Sequence, residues 1–393
     1  MPHSPALPLP RGPVLSLAAF AGARRGGAPS ILALDGLAYT TSARAGIGNA
    51  LRLLGVGAGD EVLIPAYHCA AMVEPALWLG ARPVFFRLRA DLGVDLADIA
   101  AKLGPRSKAL LVPHYFGFPQ DMTRIRAFCE RRGLALIEDC AHALFGSHAG
   151  QPLGSFGDFA VASPWKFLPL HDGGCLRARD PRHRPALRHG GLPFQLKAGL
   201  NLLEHAFAHG RLGGLRRALA PALALKDALW RRAKAGGMAG AANGAPDSAA
   251  GGEQFEAAWV DTRMSLVSRL LLARLGLRRV IELRRSNYLR LEQACRDLPG
   301  CSPLFAALPD GVVPYVFALR VAAAAAPAAA AELNRRGVPV IRFGERLWPG
   351  VDAATCAVAA ELSHCLLQFP IHQELTPSEL ARMSAEIGRV FRP

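Results

Sequence analysis

The most constraining feature of this sequence is a regular alternation of short apolar runs and amphipathic stretches across residues 31–180. The apolar runs are rich in β-branched or aromatic residues and predict buried strands, with helices between them. Strands are predicted at 61–66, 83–88, 109–115, 134–139, 159–163 and 174–178, and helices at 44–54, 70–79, 96–103 and 121–132. This alternation predicts an α/β fold whose mostly parallel central sheet is flanked by helices.

The second half of the chain predicts other structure. Residues 202–234 are basic and leucine-rich and predict helix, whereas 235–252 are mostly Gly, Ala, Ser and Asn and predict a flexible loop. A long charged helix is expected at 273–295, with Arg284 and Arg285 on a solvated face. Strands at 313–321, 338–341 and 366–370 and a closing helix at 376–390 predict a smaller C-terminal α/β domain.

Four units are therefore expected along the chain. They are an N-terminal arm (1–30), a large ligand-binding domain (31–195), a basic helical and Gly/Ala-rich insertion (196–255), and an interdomain helix with the small domain (256–393).

Composition narrows the class of protein. The chain is 51% hydrophobic and 20% charged, and it has no apolar run of the roughly 18 to 20 residues that a membrane-spanning helix needs. The first eleven residues include four prolines and no apolar core, so we expect no secretory signal and a cytoplasmic protein. Its eight cysteines form no Cys-x-x-Cys pair, so no metal site is expected.

The strong positive charge does not by itself indicate a nucleic-acid partner. The formal net charge is +15, but only six of the 46 basic residues are lysine, and no RNA-binding or helix-turn-helix motif is evident. An anionic small substrate or an acidic membrane surface would suit the same charge. The basic amphipathic stretch 202–234 could contact a membrane, although a dimer cover or substrate lid is favoured.

A carboxylate-rich strand end is the first chemical signal. The strand at 134–139 ends in Glu138 and Asp139, which places both at the carboxyl edge of the sheet, where such folds bind ligands. An acid there can keep a ring nitrogen protonated, as pyridoxal phosphate (PLP) requires, and His142 could bond the ring hydroxyl. The alternative is a loop-capping Asp and a structural His.

Lys166 follows a predicted buried strand in a segment without helical periodicity. A lysine is costly to bury unless it has a task such as Schiff-base formation, for which desolvation favours the neutral amine. Ser163 would reach a cofactor phosphate, and Gly173-Gly174 would let the backbone pass close to it. The alternative is an ordinary surface lysine.

A possible phosphate site precedes the first predicted helix. Ser42 is a good N-cap residue, and the free amides of a first helical turn can bind phosphate, with Arg44 adding charge. The alternative is simple helix capping.

Together these segments resemble the DegT/DnrJ/EryC1/StrS family. The likeness runs from about residue 42 to 179 and resumes at 363–390. It is carried by Ser42-Ala43-Arg44, 59–67 (GDEVLIPAY), 113–117 (PHYFG), 138–142 (EDCAH), Gly157-Asp158, Ser163 with Lys166, 172–174 (DGG), 368–372 (QFPIH) and 375–379 (LTPSE).

The resemblance implies a fold type I PLP-dependent aminotransferase, acting as a homodimer on a nucleotide-linked keto-sugar with an amino-acid donor. It implies catalytic roles for Lys166, which binds the cofactor, and Asp139, which pairs with its ring nitrogen. The remaining implied cofactor contacts are Ser42, Ala43, Arg44, Cys69, His142 and Ser163, and the implied substrate contact is His114.

Two departures from the family affect the details of the site. Cys69 stands where the family usually stacks an aromatic on the cofactor, so Tyr67 or His68 would substitute, or the ring is held differently. The insertion 196–255 has no recognised counterpart.

Amino transfer in polysaccharide or secondary-metabolite biosynthesis is the leading functional hypothesis. The alternatives are another PLP-dependent reaction on a sugar or amino acid, and a non-catalytic scaffold of the same fold in glycan assembly.

Overall fold

The computed structural model describes residues 7–23, 28–235 and 255–392. The strands are β1 (Leu37–Thr40), β2 (Glu61–Pro65), β3 (Arg82–Phe86), β4 (Ser107–Pro113), β5 (Ala135–Cys140), β6 (Ser147–His148), β7 (Gln151–Pro152), β8 (Phe159–Ala162), β9 (Gly174–Ala178), β10 (Cys301–Pro303), β11 (Val316–Val321) and β12 (Leu366–Pro370). The helices are α1 (Ala43–Leu53), α2 (Ala70–Trp78), α3 (Leu96–Lys102), α4 (Met122–Arg132), α5 (Leu192–Ala208), α6 (Gly213–Ala235), α7 (Leu266–Leu272), α8 (Leu277–Cys295), α9 (Ala326–Arg335), α10 (Ala357–Cys365) and α11 (Pro377–Phe391).

Seven strands form the main sheet in the order β1-β9-β8-β5-β4-β2-β3. The five strands from β8 to β3 are parallel, whereas β9 runs antiparallel to both of its neighbours. The prediction of an α/β fold with a mostly parallel sheet is therefore confirmed. Parallel pairing brings the carboxyl ends of β2, β4, β5 and β8 to one edge, and the candidate site residues follow those ends.

The central strands are buried on both faces because their apolar side chains alternate between two cores. In β5, for example, Leu136 packs in the core with α4, and Ile137 packs in the core with α1 and α2. The same alternation occurs in β4 between Leu110 and Leu111. Helices thus cover both faces of the sheet.

A smaller antiparallel sheet, β10-β11-β12, carries helices α8, α9 and α11. Its core includes Leu9 from the N-terminal arm, and the Leu9 N–H donates to Gly337 O (2.9 Å). Helix α11 begins with the capping box that the sequence predicts, because Thr376 and Glu379 each bond the other's backbone N–H.

The predicted helix at 273–295 begins four residues later than expected. Helix α7 ends at Leu272 and α8 begins only at Leu277. Between them, Gly276 donates its N–H to Ala19 O (3.1 Å), and a side chain at this position would collide with the backbone of Ala21. Close packing of the N-terminal arm therefore separates the two helices.

Two other sequence-based expectations also differ from the structure. The predicted strand at 338–341 is wrong, since only Ile341 pairs with β12, as an isolated bridge to Gln368, and Asn334 Oδ1 accepts the Val340 N–H. The predicted helix at 202–234 is two helices, because Gly210 (φ 70°) and Leu212 (φ 53°) turn the chain between α5 and α6.

The predicted loop 235–252 lies, beyond Ala235, outside the described residues. Within the described ranges, no helix combines the length and the apolar character needed to cross a bilayer.

Candidate active site

Asp139 lies at the carboxyl end of β5 and is only 3% exposed. Burial raises the pKa of its carboxyl group, opposed by the Ala141 N–H, which donates to Oδ1 (2.8 Å), and by the positive charge of Lys166. In the described part of the chain, no other hydrogen bond reaches this carboxylate. A ligand that presents a cationic N–H would therefore be favoured beside it.

Lys166 ends a short 3-10 turn (Pro164–Lys166) directly after β8. Its side chain is half-buried, and Nζ lies 5.5 Å from the centre of the Tyr315 ring. Among the described residues, no carboxylate forms a salt bridge with Nζ. A partly buried amine with no salt-bridge partner among the described residues could act as a nucleophile.

The sequence predicts a phosphate site at the start of α1. Ser42 is its N-cap, and the Ser42 hydroxyl accepts the Ala45 N–H (3.1 Å). Ala43 begins the helix, whose first N–H groups have no acceptor within it and create a positive local potential. Arg44 adds a cation, which lies 3.6 Å from the Glu74 carboxylate. This arrangement can bind an anion.

Ser163 and Gly174 lie next to this helix start. Ser163 is buried and comes one residue after the Ala162–Cys175 pair of β8 and β9. At Gly174 an added Cβ would collide with the backbone of Ser42. The close approach of β9 to α1 therefore requires glycine at this position.

Cys69 lies within electrostatic range of Lys166 and Asp139. It is the N-cap residue of α2, and burial raises the pKa of its thiol. The charges of Lys166, Asp139 and Arg44 also act on this thiol, so all three charged groups lie within electrostatic range of it.

Neither Tyr67 nor His68 is free to stack on a cofactor ring in place of the family's aromatic residue. The Tyr67 hydroxyl donates to Phe343 O (2.7 Å) in a buried aromatic cluster. His68 Nε2 accepts the Trp348 N–H (3.0 Å), so Nδ1 carries the hydrogen and donates to Ala66 O (2.9 Å). Substitution for the family's aromatic by Tyr67 or His68 therefore has no geometric support.

His142 is a buried imidazole at the centre of an aromatic stack. Its ring lies 4.7 Å from the Tyr315 ring and 5.7 Å from the Phe116 ring, tilted by 20° and 17°. Burial, followed by the charge of Lys166, lowers its pKa well below the usual value. His142 is therefore neutral and could donate one hydrogen bond to a ligand.

His114 is enclosed by protein partners. Its Nδ1 accepts the Gln120 N–H (3.1 Å), so Nε2 carries the hydrogen and donates to Glu138 Oε1 (3.0 Å). Both ring nitrogens are thus engaged, and the predicted substrate contact has no geometric support.

His114, Glu138 and Cys140 lie close enough to hold a metal ion. However, Glu138 Oε1 also accepts the Gly154 N–H (2.6 Å), and burial raises the pKa of the Cys140 thiol, so we assign no metal here.

Arg284 was expected on a solvated face and is instead 1% exposed. Its Nη2 donates to Lys166 O (2.8 Å) and its Nη1 to Tyr315 O (2.8 Å). The sequence did contain a signal, because Val280, Ile281, Tyr288 and Leu291 recur at helical spacing on the same face of α8. Tyr315 itself carried no such signal.

Asp172 holds the loop that follows Lys166. Its buried carboxylate accepts the Ser265 N–H (2.8 Å), the Ser265 hydroxyl (2.5 Å) and the Ser268 hydroxyl (2.6 Å). The loop is thereby attached to the start of α7, a partner that the sequence did not reveal.

Part of the chain is similar to proteins of known family. Residues 36–192 match the model of the DegT/DnrJ/EryC1/StrS aminotransferase family. A UDP-N-acetyl-3-dehydro-alpha-D-glucosamine 3-aminotransferase from Acidithiobacillus ferrooxidans is 36% identical over 186 residues, which cover 45% of this chain and 50% of that protein. A dTDP-4-dehydro-2,3,6-trideoxy-D-glucose 4-aminotransferase from Saccharopolyspora spinosa is 38% identical over 146 residues, 36% of this chain and 38% of that protein. The matches thus span half or less of these relatives.

Likeness in fold extends over most of the chain. The aminotransferase TlmJ from Streptoalloteichus hindustanus superposes with a TM-score of 0.62 at 24% identity, over 90% of this chain and 85% of that one. The chain shares the fold of this aminotransferase, and its mostly parallel central sheet flanked by helices is the α/β fold that the sequence predicts. Over residues 36–192, this chain is thus similar to the DegT/DnrJ/EryC1/StrS aminotransferase family.

Proposed function

We propose that this protein is a PLP-dependent aminotransferase that moves an amino group from an amino acid such as glutamate to a keto group. The observation that carries the proposal is that the Lys166 amine lies within electrostatic range of the buried Asp139 carboxyl, while no described carboxylate forms a salt bridge with it. The positive start of α1 lies beside them.

The residues present fit PLP at its three recognisable groups. The Lys166 amine would bind the aldehyde carbon, and Asp139 would pair with the ring nitrogen. The amides of the first turn of α1, with Ser42, Arg44 and Ser163, would bind the phosphate. When bound, PLP supplies an electron sink for the bond broken at the substrate carbon.

The side chains divide the remaining work. Lys166 Nζ, once displaced by the amino donor, would take a proton from the substrate carbon and return it at the neighbouring position. Asp139 would hold the proton on the ring nitrogen. Neutral His142 would donate a hydrogen bond to the hydroxyl oxygen of the cofactor ring. The Tyr315 and Phe116 rings would keep water from the faces of the His142 imidazole.

A nucleotide-linked keto-sugar is the proposed acceptor. The two curated relatives are named for UDP- and dTDP-linked keto-sugars, and a net charge of +15 suits an anionic substrate. The acting form would be a cytoplasmic homodimer. Exposed leucines on α5 and α7 offer apolar surface for its assembly: Leu192, Leu196, Leu200, Leu266 and Leu270.

Amine transfer tests this function directly. Glutamate carrying a heavy nitrogen isotope would be incubated with the purified protein, PLP and UDP- or dTDP-linked keto-sugars, and the products analysed by mass spectrometry. We expect the label to move to the sugar with wild type and Lys108→Ala but not with Lys166→Ala. Transfer by Lys166→Ala, or none by wild type to any keto-sugar, would contradict the proposal.

A further inference from the structure

We propose that Arg284 is a positioning residue that holds the Lys166 amine in place against Tyr315. The inference goes beyond the proposed function and rests on it only in taking Lys166 as the reactive amine. Arg284 touches neither the Lys166 amine nor the Asp139 carboxyl by any hydrogen bond among the described residues, and it would act through the backbone.

The guanidinium group of Arg284 joins three segments of the chain. Besides Lys166 O and Tyr315 O, each 2.8 Å away, it reaches Gln373, whose Oε1 accepts from Nε (3.3 Å). The group also lies over the Phe167 ring, 4.5 Å from its centre. Gln373 completes the arrangement by donating from Nε2 to Phe167 O (2.9 Å).

The placement of Arg284 is costly for a purely structural residue. No carboxylate among the described residues forms a salt bridge with it, and its charge is compensated only by carbonyl dipoles and an aromatic face. Well-packed apolar side chains stabilise buried positions at least as well as ions do. The rigid fork of donors, in contrast, can fix several carbonyl groups at once.

The carbonyl groups that Arg284 holds belong to the two residues that define the amine's surroundings. The Tyr315 N–H donates to Phe116 O (2.8 Å), and its ring stacks on His142 and lies below Lys166 Nζ. By binding Lys166 O and Tyr315 O together, Arg284 sets the separation between the amine and this aromatic stack. Loss of the fork would let the two segments move apart.

Trace acetylation of lysines in the cofactor-free protein tests this role without measuring activity. The reactivity of Lys166 would be compared with that of exposed Lys108 by peptide mass spectrometry over a range of pH. In Arg284→Gln the two segments are no longer held together, so the amine should be more accessible to the reagent. We expect the reactivity of Lys166 relative to Lys108 to rise about tenfold, the factor that corresponds to losing one charged hydrogen bond. Arg278→Gln is the control, since Arg278 is exposed on the same helix and pairs with Glu282.

A second pair of variants separates positioning from general stabilisation. Arg284→Lys keeps the charge but not the fork, and Gln373→Leu removes one partner while Arg284 remains, so both should raise the relative reactivity of Lys166 by smaller factors. These two variants decide the matter if Arg284→Gln does not fold. Lower thermal stability with an unchanged Lys166-to-Lys108 ratio in all folded variants would overturn the proposal.

The same protein preparations distinguish failure of this inference from failure of the proposed function. If wild type forms no PLP adduct at Lys166 on borohydride reduction, the proposed function fails, whereas the acetylation ratio still reports whether Arg284 positions the amine. If PLP does form an adduct at Lys166 but the Lys166-to-Lys108 acetylation ratio is the same in the Arg284 variants, the proposed function stands and the role of Arg284 fails.

Discussion

At the scale of single residues, Asp139 is a carboxyl group whose surroundings disfavour its charge. Burial raises its pKa, and one backbone N–H and the positive charge of Lys166 offset this only in part. A protonated ring nitrogen would supply the missing cationic donor, so the group is prepared for a ligand of that kind.

We therefore expect Asp139→Asn to lower kcat for amine transfer by about a hundredfold or more, because a neutral amide cannot hold the ring nitrogen in its cationic form. Steady-state rates with a keto-sugar acceptor measure this effect. Asp91→Asn, a change in an exposed surface turn, serves as the control. Equal rates for Asp139→Asn and wild type would remove Asp139 from the mechanism.

Single residues also show what a sequence can and cannot reveal. Lys166 and Asp139 were identifiable because each follows an apolar run that ends at the same sheet edge. The burial of Arg284 could have been read from the helical periodicity of its neighbours. The enclosure of His114 could not, because its partner Gln120 is brought to it by the turn after β4 rather than by any motif.

At the scale of elements, the site depends on how closely β9 approaches the start of α1. Gly174 occupies the contact, and a side chain there would collide with the Ser42 backbone. Gly199, inside helix α5, has open space around it instead.

These two glycines give a matched pair of substitutions. Gly174→Ala should destabilise the protein by about 1 to 3 kcal/mol through overpacking and weaken PLP binding, because the phosphate-binding turn is displaced. Gly199→Ala should stabilise it by roughly 0.5 to 1 kcal/mol, as alanine favours helix. Urea unfolding and PLP titration measure both effects, and a Gly174→Ala protein with wild-type PLP affinity would contradict the proposed phosphate site.

Elements governed by local signals were predictable, and those governed by contacts between distant segments were not. The capping box of α11 involves residues three apart, so the sequence contains it in full. The break between α7 and α8 depends on the N-terminal arm lying against Gly276, more than 250 residues away in sequence. Residues 338–341 have strand-like composition, but only Ile341 reaches β12.

At the scale of the whole molecule, buried histidines join distant parts of the chain. His68, after β2, accepts the Trp348 N–H, and His372 Nε2 donates to Pro10 O (3.0 Å) in the N-terminal arm. Burial lowers the pKa of His68 to about 4 and that of His372 to about 3. The division of the chain at residues 30, 195 and 255 stays a prediction.

These histidines make stability depend on pH. Since both folded pKa values lie below the ordinary 6.5, the unfolded chain binds more protons as the pH falls from about 6.5 to about 4. The free energy of unfolding should therefore decrease, by about 2 kcal/mol between pH 7 and pH 5 from His68 alone. Urea unfolding at both pH values measures this decrease in the free energy of unfolding. The decrease should be smaller in His68→Gln than in wild type, and the same as in wild type in His189→Gln, since His189 is exposed. An equal decrease in His68→Gln and wild type would show that His68 does not cause the pH dependence of stability.

The α/β architecture was the most predictable property of the whole molecule, because alternating buried strands and helices leave few ways to cover both faces of a sheet. The attachment of the N-terminal arm to the smaller sheet was not predictable, since it depends on single backbone contacts such as Leu9 with Gly337.

Borohydride reduction of the protein with PLP, followed by peptide mapping, tests the central claim most directly. It asks whether Lys166 forms the covalent bond to the cofactor. We predict one cofactor-sized mass increase on the peptide that contains Lys166, with Lys102 and Lys108 unmodified under the same conditions. A protein that takes up no PLP, or that is labelled at other lysines and not at Lys166, would contradict the account.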